Sequence, residues 1–231
     1  MPKIEKAKVL VVGVGGLGSA AAMTLARAGV GAIGLADPDR VELSNLHRQL
    51  LHGTADIGQP KVASAARKLA GEVHAHPVAV TAESAPRLFA AYDFVIDATD
   101  RPAAKYLLND EAVRSGRPLS HAGVVGFAGQ LFTIVPGRGA CLRCVFPSPP
   151  DEADAIGCRE AGILGPLAAV LGALQAHEAI RVLGGRGEPL VDRLLAFDAR
   201  TLRFREIRLR RDAHCVACSS VAASPATAAA C

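Results

Sequence analysis

The chain has no tryptophan, two tyrosines and two methionines among 231 residues, and aromatic side chains make up only 4% of it. Sequence-tolerant nucleic-acid binding needs aromatic platforms beside a concentrated basic stripe. With so few aromatics, dispersed arginines and a net charge of +4, a mild attraction to acidic partners is expected rather than a nucleic-acid footprint. The opening Met1-Pro2-Lys3-Ile4-Glu5-Lys6 lacks the apolar core of a signal peptide. A cytoplasmic, reducing setting is therefore expected, in which the six cysteines serve better as metal thiolates than as disulfides. The most apolar stretch begins at Gly165-Pro166, but Gln175, His177, Glu178 and Arg181 interrupt its second half. Its uncharged part is too short and too rich in alanine and glycine to span a bilayer, so no membrane partner is expected. The choice for this helix lies between core packing and a subunit interface. No internal repeat is visible.

What is present is enough apolar character, 50% of residues, to build one sizeable core. Lys8–Val12, Ala32–Ala36 and Phe94–Ala98 read as buried parallel strands. Helix formers fill Ser19–Ala28, Lys61–Ala70 and Ala103–Ser115. Alternating strands and helices predict a Rossmann-like, doubly wound, mainly parallel α/β sheet. Strand-like segments Leu119–Val124, Gln130–Val135, Arg193–Phe197 and Leu202–Leu209 predict a C-terminal extension of it. The pattern implies one domain over 1–220 and a disordered small-residue tail over 221–231. Three prolines and three acids between Pro147 and Gly157 predict an exposed, mobile crossover ending at Cys158. Arg203, Arg205, Arg208, Arg210 and Arg211 crowd the last strand region. They read either as a solvated strand face or as a dock for an acidic protein.

Two Cys-x-x-Cys pairs, Cys141/Cys144 and Cys215/Cys218, supply the four thiolates of a closed tetrahedral zinc site. Such a zinc ion would clamp the end of the chain back onto its middle. Four thiolates complete the shell, so His214 is expected only to adjoin it. His121 and His177 fall in elements expected to be buried, where a histidine is more often structural than catalytic. Cys231 is an unassigned thiol.

Gly13-Val14-Gly15-Gly16-Leu17-Gly18 follows a strand and opens a helix, the setting in which backbone N–H groups face a phosphate. Asp37, after the second strand, is placed to accept hydrogen bonds from ribose hydroxyls. These two features suit NAD as well as ATP. The run from Asp37 through Asp39, Asn45, Arg48 and Gln49, with Gln59-Pro60-Lys61 beyond it, separates the two. It resembles the ATP site of the sulfur-carrier adenylyltransferases of the ThiF/MoeB family, bacterial relatives of the ubiquitin-activating enzymes. The resemblance extends through Ala98-Thr99-Asp100, both Cys pairs, and the Ala161–Leu167 and Gly172–Ile180 stretches, nearly the whole chain.

The resemblance implies ATP-dependent adenylation of the C-terminal glycine carboxylate of a small ubiquitin-like sulfur carrier, with pyrophosphate released. Gly13, Gly15, Gly16 and Gly18 would cradle phosphate and Asp37 would hold the ribose. Asp39 would belong to the same nucleotide-binding set, and Asn45 would meet the phosphate or nearby backbone. Arg48 and Lys61 would neutralise the phosphates, and Asp100 would hold Mg2+. Fixed cations suit a reaction in which charge develops as pyrophosphate leaves. Asp97, earlier on the same strand, reads as structural. Family members commonly act as homodimers, and a persulfide sulfur donor is a further partner.

Cys158, in Gly157-Cys158-Arg159, matches the reactive cysteine of ThiF-type proteins; Arg159 would favour its thiolate. MoeB-type enzymes do not need that thiol for adenylation, so both readings stand. Val125–Leu131 and Gly157-Cys158-Arg159 look closer to the thiamine branch than to the molybdopterin branch. The chain departs from the family at His47, where glutamine is common, and at Arg101, where asparagine is usual. It also starts shortly before Lys8, without the preceding segment whose arginine reaches a partner's ATP site. From this arises the alternative of a docking protein that binds nucleotide and carrier with weakened catalysis.

Overall fold

The structure, a computed structural model, describes residues 4–150 and 162–221. Three apolar runs, Lys8–Val12 (β1), Ala32–Ala36 (β2) and Phe94–Asp97 (β4), are buried almost throughout. Burial on both faces is what helices packed against both sides of a parallel sheet impose. Along β1 the strand period of two sends Val9 and Val11 into one core and Leu10 and Val12 into the other.

Between β2 and β4 lies Glu72–His76 (β3), a strand not anticipated because its sequence, Glu-Val-His-Ala-His, is too polar to read as buried. It forms the edge of an eight-stranded sheet of order β3-β2-β1-β4-β5-β6-β7-β8. Strands β1 to β5 (Leu119–Val125) run parallel. Ala128–Ile134 (β6), Arg193–Asp198 (β7) and Arg203–Arg208 (β8) continue it as an antiparallel meander. The chain winds outward from β1 through β2 to β3, then restarts on the other side at β4. A topological switch point thus opens between β1 and β4, where such sheets bind ligands.

Gly16–Arg27 (α1) and Gly165–Gly184 (α6) pack together over one face, joined by Lys61–Ala66 (α2). The other face carries Ala85–Ala90 (α3), Pro102–Ser115 (α4) and the short Leu142–Val145 (α5). Helix α2 stops four residues short of the expected Ala70. Helices α4 and α6 both begin with proline in the first turn and end at a left-handed glycine, Gly116 or Gly185.

With twenty residues, mostly apolar, α6 has the length and composition of a membrane span, contrary to expectation. Its packing accounts for that character otherwise. Leu167, Leu171, Ala176 and Ala179 join the core, and the polar Gln175 and Glu178 are buried as well. Glu178 is satisfied by the Thr133 hydroxyl, the Leu190 N–H and Arg181. His177, expected inside, is instead exposed. Strand β8 is exposed at every residue, which places its three arginines on a solvated edge.

The α1–α6 approach depends on Gly172, where a Cβ would overlap the Leu17 carbonyl oxygen. Gly172→Ala must push the two helices apart. We expect a loss of about 1–3 kcal/mol, the usual cost of overpacking, seen as a lower urea midpoint at unchanged m-value. An unchanged midpoint would refute close packing at this point.

Candidate functional site

The loops after β1, β2 and β4 converge at the switch point. Gly13 donates its N–H to the Ala36 carbonyl at 2.8 Å, linking the ends of β1 and β2. It adopts a φ of 90°, and a Cβ there would lie 2.6 Å from the Ala98 oxygen, at the end of β4. A Cβ on Gly18 would overlap the Gly13 oxygen, so the first turn of α1 rests directly on the loop. That turn has no side-chain cap, and its leading N–H groups have no intrahelical acceptors. Such a terminus attracts anions.

Asp37, just past β2, is 5% exposed. Its Oδ2 accepts the Val14 N–H at 2.6 Å and its Oδ1 the Asp39 N–H at 2.8 Å. Burial pushes its carboxyl above the usual range, opposed by Lys61 and these two N–H groups. Lys61 opens α2 and is itself buried, with its ammonium 2.9 Å from Asp39 Oδ2. Its N–H also donates to the Asp39 carbonyl at 2.9 Å. Glycine loop, Asp37, Asp39 and Lys61 therefore form one bonded cluster.

Arg48 lies beside it. A Cβ on Gly16 would meet the Arg48 carbonyl oxygen at 3.1 Å and the Ala168 side chain, from α6, at 3.0 Å. The Arg48 guanidinium donates to Asn45 Oδ1 at 2.6 Å, so Asn45 orients the arginine, while its own amide reaches Glu42 at 3.4 Å. Asp100 is exposed in the loop after β4, on the same rim. A glycine cradle flanked by two cations and an exposed carboxylate suits a polyanion carrying a divalent cation. Cys158, the remaining candidate, lies outside the described residues, as do 151–157 of the expected crossover and the tail beyond 221.

Three further side chains were given no role by sequence reasoning, although Gln49 stands in the motif run. Gln49 is buried, and among the described residues its Oε1 has no hydrogen-bond partner. His52 is buried against the glycine loop, bonded to the Val14 carbonyl and Ser64. Lys105 lies beneath the Asp100 loop. Its ammonium reaches Asp97 Oδ2 at 3.2 Å and the Ala122 carbonyl at 2.7 Å. Only the Arg48-Gln49 motif carried a signal for any of them; a histidine or lysine in isolation carries none.

Asp97 is fully buried and bonds His121 at 2.9 Å, the Thr99 hydroxyl at 2.6 Å and the Thr99 N–H at 3.1 Å. Burial alone would raise its carboxyl; Lys105, His121 and Thr99 outweigh that and hold it below the usual carboxylate range. Asp97 is thus structural, and it shapes the loop that carries Asp100.

On the other face the four cysteines converge. Sulfur separations are 3.9 Å for Cys141–Cys144, 3.6 Å for Cys141–Cys215 and 3.4 Å for Cys144–Cys218, and all four lie within 4.8 Å of one another. Four thiolates about 2.3 Å from one tetrahedral ion have S···S edges of about 3.8 Å, so the cluster fits such a metal. Burial pushes the Cys141 thiol up, and Cys218 to about 11, whereas at Cys215 burial is outweighed by the Cys218 and Ala217 N–H groups and the neighbouring thiols, so a cation is what would favour all four thiolates together. The Asp212 N–H points at Cys144 Sγ from 3.4 Å, whereas the side chain of His214 is exposed.

The ThiF family model matches residues 1–218. The sulfur carrier protein adenylyltransferase of Thermus thermophilus is 42% identical, over 94% of this chain and 83% of its own length. The adenylyltransferase and sulfurtransferase MOCS3 of Culex quinquefasciatus is 44% identical over 94% of this chain, which spans only 51% of that relative. Among solved structures, E. coli MccB with ATP superposes with a TM-score of 0.81 at 25% identity, covering 94% of this chain and 68% of that one.

Removing the Asp97 carboxylate strands Lys105 and His121 in the interior. Asp97→Ala should therefore cost about 3–5 kcal/mol, the size seen when a buried ion pair loses one partner. Because the folded value is depressed, the charge of Asp97 stabilises fully above the ordinary carboxylate pKa of about 3.9. That contribution is lost as pH falls through the folded value. The gap between wild type and Asp97→Asn in urea unfolding should accordingly narrow below pH ~4. A gap that widened there would contradict a depressed carboxyl.

Proposed function

The chain belongs to the ThiF family, and from that premise we propose that it adenylates the C-terminal glycine carboxylate of a small ubiquitin-like sulfur carrier. The observation that carries this reading is the bonded cluster of glycine loop, Asp37, Asp39 and buried Lys61 at the switch point, with Arg48 beside it.

In the proposed reaction a carrier carboxylate oxygen attacks the α-phosphorus of ATP. The bond from that phosphorus to the α,β-bridging oxygen breaks, and pyrophosphate leaves with both bonding electrons. The glycine loop and the N-terminus of α1 hold phosphate, and Asp37 faces the ribose. Lys61 and Arg48 neutralise negative charge as it gathers on the leaving group. Asp100 would hold Mg2+, which supplies further charge neutralisation. The terminal sulfur of a persulfide donor would then displace AMP to give an acyl disulfide, and a second thiol, attacking the donor's sulfur and forming a disulfide with it, would release the carrier thiocarboxylate. Cys158 is proposed for that second stage. The thiamine branch is proposed as the pathway, with a molybdopterin-type carrier the competing assignment.

Zinc is proposed for the four-cysteine centre, supported by sulfur separations that suit a tetrahedral ion. Its role is to pin the segment after β8 to the start of α5. A homodimer in the cytoplasm is proposed as the working state.

Exchange of labelled pyrophosphate into ATP, dependent on the carrier, tests the chemistry. We expect exchange in wild type and in Cys158→Ala, and a fall on the order of a hundredfold or more in Arg48→Ala, Lys61→Ala and Asp100→Ala. Failure of wild type to exchange, while a relative tested alongside succeeds, would leave a nucleotide-binding docking protein. For the metal, Cys141→Ser should abolish bound zinc in elemental analysis and lower the Tm. Full zinc content in that variant would overturn a four-thiolate site.

A further inference from the structure

Between Arg48 and Lys61 lies a buried histidine that the chemistry above does not use. His52 is 7% exposed. Its Nε2 lies 3.1 Å from the Val14 carbonyl oxygen and its Nδ1 2.9 Å from the Ser64 hydroxyl. A carbonyl only accepts, so Nε2 carries the proton, and in the neutral ring Nδ1 is an acceptor facing the Ser64 hydroxyl, which Asp56 also neighbours. Burial lowers the ring's proton affinity, against the pull of the Val14 carbonyl, in keeping with a neutral ring held in this tautomer. From the other side, Asp37 accepts the Val14 N–H at 2.6 Å. Both backbone polar groups of Val14 are thus gripped by buried side chains.

Gly15 and Gly16, which follow, have no side chains to restrict them, so the peptide planes here are the freest to rotate in the loop. In a trans peptide the C=O and the next N–H point in opposite directions. Holding the Val14 carbonyl toward His52 therefore fixes the Gly15 N–H on the far side of the plane.

We propose that His52 is a positioning residue for the glycine loop, setting the Val14–Gly15 peptide so that its N–H faces a bound phosphate. Ser64 stands one turn after Lys61 in α2 and is wholly buried. Through Ser64 the same ring couples the loop to the helix that presents the buried cation. The proposal rests on the reading of this loop as a phosphate cradle.

The test uses the full chain in four forms: wild type, His52→Phe, His52→Gln and Ser64→Ala. Mg-ATP affinity is measured by titration, and amide hydrogen exchange is followed across 13–18 without nucleotide. Phenylalanine keeps the ring's bulk and loses the donor; glutamine restores an N–H at a similar reach. We expect His52→Phe to weaken Mg-ATP binding about tenfold, the scale of one lost buried hydrogen bond, and to speed loop exchange. His52→Gln should return within about threefold of wild type, and Ser64→Ala should fall between. A histidine that merely fills space would lower the Tm of His52→Phe and leave both readouts unchanged, overturning the proposal. So would a glutamine variant as weak as phenylalanine. If His52→Phe does not fold, the same two readouts on Ser64→Ala decide. Should wild type not bind Mg-ATP, the nucleotide reading falls, and loop exchange still judges the role of His52.

Discussion

A carboxylate buried at the junction of two strands is costly unless its lone pairs are filled, and Asp37 meets that condition through the glycine loop itself. Its two oxygens take the Val14 and Asp39 N–H groups, so the ends of β1 and β2 cannot separate without stranding a charge. Asp39, placed by that bond, is what Lys61 pairs with. The orientation of the loop, the entry angle of α1 and the position of the buried cation all follow from this one group.

A second buried carboxylate does comparable work at the other side of the switch point. Asp97 binds Lys105, His121 and Thr99, and through Thr99 it fixes the turn that leads to Asp100. Gln175 of α6 donates to the Asp97 carbonyl at 2.7 Å and to Ser120 at 3.0 Å, tying that long helix into the same junction. The exposed part of the site is thus mounted on two satisfied polar centres inside the core. This is how flexible-looking loops can hold charged groups within narrow limits.

Much of this could be read without coordinates where the residue types had one physical use. Strands β1 and β2 span Lys8–Val12 and Ala32–Ala36 as expected, because a strand buried on both faces is apolar along its buried length. The cysteine spacings anticipated a single cluster, since two residues between thiols suit a shared ion. The polar strand β3 and the short helix α3 escaped notice. An edge strand is half solvated, and six residues carry too little periodicity to register. His177 was misplaced for a related reason: an apolar helix does not announce which of its faces meets the core.

Composition and motif order by themselves determined the doubly wound architecture, the position of the glycine loop and the four cysteines that cluster. Each of these depends on local spacing or on periodic burial. Only the tertiary structure decided that Asp37 latches the glycine loop, that Asn45 braces Arg48, that Asp97 is buried under the Asp100 turn, and that His52 grips the Val14 carbonyl. The two pairings on Val14 join residues 23 and 38 positions apart along the chain, and the two local ones select one partner among several that the sequence offers. Their bonds depend on distances and angles of a few tenths of an ångström, which are set only when the helices close against the sheet.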